Sequence, residues 1–140
     1  MTSMNLSAAS APIVRAPGRV WTGRVLSALA VSFLAFDAVI KLVVAPPVVQ
    51  TFGQLGWPVH LAVTVGVLEL ACLAVYVVPR LSVVGAVLLT GYLGGAIATH
   101  VRVGNPLASH VLFPTYVAAM LWGGLYLRDA RVRALFAPKR

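Results

Sequence analysis

Seven side chains able to do chemistry stand in an otherwise apolar sequence: Asp37, Lys41, Glu69, Tyr92, His100, Arg102 and Tyr116. Their types suit proton transfer, ion pairing and hydrogen bonding to a ligand oxygen. Asp37 and Lys41 are four residues apart, so on a helix they project within ~40° of each other. Glu69 has no charged residue within one turn of its own segment, "VGVLELACL". His60, His100 and His110 all fall at the outer ends of the apolar segments, which raises a metal or haem site, but their spacing is not diagnostic of one and no metal is predicted. Cys72 is the only cysteine, which rules out an intrachain disulfide and C-x-x-C thiol exchange. It reads as a small packing residue.

The background explains why these residues matter. The chain is 60% hydrophobic and 10% charged, with mean hydropathy +0.93. A soluble domain is typically about 45–50% apolar and about 25% charged. The net charge of +8 comes from 11 Lys+Arg against 3 Asp+Glu. Those basic residues flank apolar segments rather than forming a polar face, which argues for a membrane and against nucleic acid.

Four apolar segments are predicted to be transmembrane helices in an all-α, antiparallel four-helix bundle: Val25–Val44, Val59–Val78, Leu81–Val101 and His110–Leu127. Twenty residues at ~1.5 Å each match a hydrocarbon core of ~30 Å. Pro46-Pro47 and Pro79 close the first two, and Pro114 is expected to bend the fourth. The first segment is about twice a signal-peptide core and lacks a cleavage site, so it reads as an uncleaved span. Residues 1–23 read as a disordered tail, 24–128 as the membrane domain, and 129–140 as a basic tail. Arg15, Arg19, Arg24, Arg80, Arg128, Arg131, Arg133, Lys139 and Arg140 fall on one side, against Arg102 and Lys41 on the other. Nine against two predicts cytoplasmic termini. Between the first two spans, Val48, Val49, Phe52 and Leu55 repeat at helical spacing, which predicts a short interfacial helix anchored by Trp57. Gly91-x-x-x-Gly95, with Ala118, Ala119, Gly123 and Gly124, predicts close helix packing or a homo-oligomer contact.

Counting depth along these spans places Asp37, Lys41, His100, Arg102, Thr115 and Tyr116 in the outer half. Glu69 and Tyr92 lie near the midplane. A charge at a helix centre costs about 2.5–3.5 kcal/mol on insertion scales, so such groups face the bundle interior and pair. On the second span, Ala62, Gly66, Glu69, Cys72 and Tyr76 form the less greasy stripe, which predicts its inward face.

The segments "FLAFDAVIKL", "FGQLGWP", "GVLELACLAVYVVPR" and "GYLGGAIATHVRVGNPL" resemble the DoxX-like family. The resemblance covers about Val25 to Leu127. It implies a compact four-helix bundle in a prokaryotic cytoplasmic membrane. It also implies a link to respiratory redox chemistry, as in membrane subunits of thiosulfate:quinone oxidoreductase or partners of sulfur-handling and oxidant-detoxifying proteins.

The leading expectation is a redox-associated subunit that binds a quinone or another lipid-like ligand in an outward-facing polar cavity. The bilayer and a redox protein would be its partners. Tyr92, Glu69 or His100 would hydrogen-bond the ligand, and Glu69 or Asp37 would relay a proton. The alternatives are a non-enzymatic assembly partner, whose polar residues serve helix pairing, and a small transporter or proton pathway. Against transport, the inner halves of the spans offer almost no polar path.

Overall fold

The computed structural model describes residues 17–135. Among them there are helices and no strand. In chain order they are α1 (Pro17–Leu42), α2 (Pro46–Gln54), α3 (Leu61–Val77) and α4 (Ser82–Arg102). A π-helical turn (Leu107–Val111), α5 (Phe113–Arg128) and α6 (Ala130–Leu135) follow. The breaks fall where proline and glycine dictate. Val44 and Ala45 turn the chain into Pro46-Pro47 at the first turn of α2, with Val44 at φ 48°, a costly angle for a β-branched residue. Gly56 (φ 67°) ends the turn after α2, and Gly104 (φ 70°) ends α4.

Gly18–Leu42, Ser82–Arg102 and Leu107–Arg128 are long and apolar enough to cross a membrane. α3 is also apolar, but its 17 residues are shorter. At ~1.5 Å per residue it spans ~25 Å. Consecutive long helices are neighbours: α1 packs on α3, α3 on α4, α4 on α5, and α5 back on α1. Large apolar side chains face outward, among them Trp21, Phe36 and Leu107, each about two-thirds exposed. Such a surface suits lipid and not water.

At one end the bundle is tight because small residues let backbones meet. A Cβ on Gly85 of α4 would run into the backbone of Tyr76 on α3. A Cβ on Gly23 of α1 would lie 2.8 Å from the carbonyl oxygen of Gly124 on α5. The Tyr76 hydroxyl donates to the Leu121 carbonyl (3.0 Å) and pairs with Ser27 Oγ (3.0 Å), which satisfies it in the core.

Several expectations shift. α1 begins at Pro17, ahead of the expected Val25, so residues 17–23 are helical. The rest of the expected tail, residues 1–16, lies outside the described residues. Pro114 does not bend a helix. It sits in the first turn of α5, where its missing N–H costs nothing, and the chain breaks before it at Leu112. Gly91 and Gly95 do not bring helices together within the bundle, for a Cβ on either would meet nothing within 4 Å. Of the small residues on α5, Gly124 does allow close approach, and Gly123 has open space. The short helix expected between the first two spans is present as α2, with Val48 and Phe52 buried and Val49 exposed.

Candidate functional site

Lys41, near the end of α1, is the hub of a polar cluster that joins three helices. Its ammonium donates to Asp37 Oδ2 (2.5 Å), to Glu69 Oε2 on α3 (2.9 Å) and to the Tyr92 hydroxyl on α4 (2.9 Å). Tyr92 in turn donates to Glu69 Oε2 (2.8 Å). Gly66 makes this possible. It lies one turn before Glu69, and a Cβ there would sit 3.0 Å from Lys41 Cβ and 3.1 Å from the Ala38 carbonyl oxygen. Without a side chain at 66, α1 settles against α3 and Lys41 reaches Glu69. The expected inward stripe of α3 (Ala62, Gly66, Glu69, Cys72, Tyr76) is buried throughout, together with Leu73.

Glu69 is completely buried, and its Oε1 has no hydrogen-bond partner among the described residues. Two carboxylates share one ammonium, so with all three ionised the cluster carries one net negative charge. At low dielectric each contact is stronger than in water, and so is any imbalance. The Asp37 side chain keeps 33% of its exposure, Lys41 13% and Glu69 none.

Above the cluster lies a cavity of about 520 Å³. Asp37, Lys41 and Tyr92 belong to its wall, while Glu69 stays behind it. Gly91 and Gly95 leave the space open on the α4 side, and Phe33 of α1 meets Phe113 of α5 edge-on at 5.3 Å on the other. α2 and its following turn supply Thr51, Phe52, Leu55 and Trp57, so the short helix forms part of the wall. His100, in the last turn of α4, lines the cavity too. Its Nδ1 pairs with the Asn105 side-chain amide (2.7 Å), and its ring meets that of His110 edge-on at 5.7 Å.

The structure brings together Asp37, Lys41, Glu69 and Tyr92, with His100 on the same cavity. It does not bring in Arg102 or Tyr116. Arg102 donates to the Leu55 carbonyl, which ties the end of α4 to the end of α2, and lines a shallower groove with Gly56, Trp57 and Pro58. Tyr116 is exposed on α5 and outside the cavity. Phe33, Thr51 and Phe113 are lining residues that sequence reasoning missed. The available signal was on α4, where positions 91, 92, 95, 96 and 99 share one face and combine small residues with the tyrosine. Among the described residues, no three of His, Cys, Asp and Glu are grouped as a metal ion would require.

A model of the DoxX-like family matches residues 25–124, well over half of the chain, and the chain belongs to that family. The match and the apolar helices together identify a multi-pass membrane protein. No curated protein and no solved structure gives a match.

Proposed function

From membership of the DoxX-like family as premise, we propose that the chain is a redox-associated membrane subunit holding a quinone or another lipid-like ligand in the cavity above Lys41. The observation that carries this is the cavity itself. Its volume of about 520 Å³ falls within the ~300–1,000 Å³ typical of small-molecule sites, and an apolar wall with few convergent polar groups is their usual make-up. In this reading α3 crosses with the three longer helices as an antiparallel four-span bundle. The basic residues at the chain ends and at Arg80 face a prokaryotic cytoplasm. The cavity then opens in the outer half of the membrane, and a partner protein supplies electrons.

Titration of decylubiquinone into the protein in nanodiscs, read by tryptophan fluorescence, tests the reading. One equivalent should bind, and Gly95→Leu, which projects into the cavity, should abolish binding. A wild-type protein that binds nothing refutes it.

One observation favours a second reading. Lys41 joins α1, α3 and α4, as a purely structural staple in an assembly partner would. In that case Lys41→Met lowers stability while a stoichiometric protein partner, and no small molecule, co-purifies.

A further inference from the structure

The polar floor of the cavity has no hydrogen-bond donor left to offer a ligand. An ammonium has three N–H groups, and Asp37, Glu69 and Tyr92 take all three of Lys41's. The single O–H of Tyr92 goes to Glu69 Oε2. What remains is an acceptor. Asp37 Oδ2 is held by Lys41, and Oδ1 has no hydrogen-bond partner among the described residues. The Asp37 side chain is one-third exposed and lines the cavity. A ligand carbonyl placed there would set its lone pairs against a carboxylate oxygen. A ligand hydroxyl would donate to it, and O–H···O⁻ bonds are among the stronger kinds.

The far end has the opposite character. The Asn105 amide nitrogen can only donate, so His100 Nδ1 accepts and a neutral ring carries its proton on Nε2. That N–H has no partner among the described residues, and His100 lines the same cavity. Tyr92 and His100 are eight residues apart on α4, ~12 Å along its axis. The cavity is therefore acceptor-ended beside Asp37 and donor-ended beside His100.

We infer that the cavity selects an apolar molecule by a hydroxyl donated to Asp37, so that a quinol is held in preference to its quinone. This rests on the reading of the cavity as a ligand site. A hydrogen bond to a charged acceptor corresponds to a preference of about ten- to a hundredfold. Each tenfold preference for the reduced form raises the midpoint potential of the bound two-electron couple by about 30 mV.

The test compares three probes of one skeleton under anaerobic conditions: decylubiquinone, decylubiquinol, and the quinol's dimethyl ether, which keeps the shape and loses the donor. Dissociation constants are measured by calorimetry with the full chain in nanodiscs. The quinol should bind at least tenfold more tightly than either other probe. In Asp37→Asn, whose amide also offers a donor, the preference should fall below about threefold. Quinone or ether binding as tightly as the quinol overturns the inference and leaves the cavity reading standing. A preference unchanged in Asp37→Asn overturns the assignment to Asp37. If none of the three binds, both readings fall. Should Asp37→Asn not fold, the wild-type comparison of quinol with ether still decides.

Discussion

Replacing Lys41 by methionine separates two descriptions of the charged pair on α1. If Lys41 served only Asp37, four residues away on the same helix, the loss would be that of an exposed i,i+4 pair, about 0.3–0.5 kcal/mol. The structure places it otherwise. Lys41 is 13% exposed, Glu69 is fully buried, and three acceptors on three helices depend on one ammonium. Removing one member of a buried ion pair costs about 3–5 kcal/mol, because the charge left behind has no partner. In Lys41→Met, Glu69 Oε2 keeps only the Tyr92 hydroxyl among the described residues, while Oε1 stays without a partner there. The expected loss is therefore about 3 kcal/mol or more.

The measurement is reversible unfolding in mixed micelles by added SDS, followed by circular dichroism. The cycle with Glu69→Gln supplies the control. Once Glu69 is neutral, losing Lys41 should cost less, and a coupling of about 1.5 kcal/mol or more between the two sites is expected. Lys41→Met within about 0.5 kcal/mol of wild type would refute the three-helix description and return the pair to a local role on α1.

Four further outcomes are expected. Gly85→Ala should destabilise by about 1–3 kcal/mol in the same unfolding assay, since its Cβ would meet the Tyr76 backbone and α3 and α4 must part. Gly91→Ala faces open space, so it should be neutral or stabilising by up to about 1 kcal/mol. Gly95→Leu should leave the unfolding midpoint near wild type while closing the cavity, seen as loss of ligand binding with an unchanged helical spectrum. At the other end of the chain, Asp129 accepts from the Arg131 backbone N–H (2.9 Å) and side chain, which caps α6 and holds the Asp129 carboxyl below its ordinary value. A lowered carboxyl pKa adds stability that is present above about pH 4 and lost as pH falls through the folded value. α6 amide signals in NMR should thus weaken in strong acid, and Asp129→Ala, which removes the cap oxygens, should show the weakened state already at neutral pH.

What the sequence made legible follows from local rules. Pro46-Pro47 and Gly56 bracket α2, and the 3.6-residue period picked out the buried stripe of α3 from Ala62 to Tyr76. Neither required knowing which helices touch. Glu69 shows the limit of that reasoning. Its partners lie 28 and 23 residues away in the chain, and periodicity gives the face of a helix without naming its neighbour. Gly91 and Gly95 show a second limit. A small-x-x-x-small step permits close approach only if a neighbouring backbone comes up to it. Gly85 has Tyr76 for that, whereas Gly91 and Gly95 have open space. The same step that would join helices elsewhere therefore helps make the cavity here. Helix pairing then does not by itself explain Asp37, because Lys41 reaches Glu69 and Tyr92 without it. Leucine at position 37 would have spared a charge its burial. On the proposed reading, an aspartate that spends one oxygen on Lys41 and lines an apolar cavity serves something the cavity receives rather than the helices it joins.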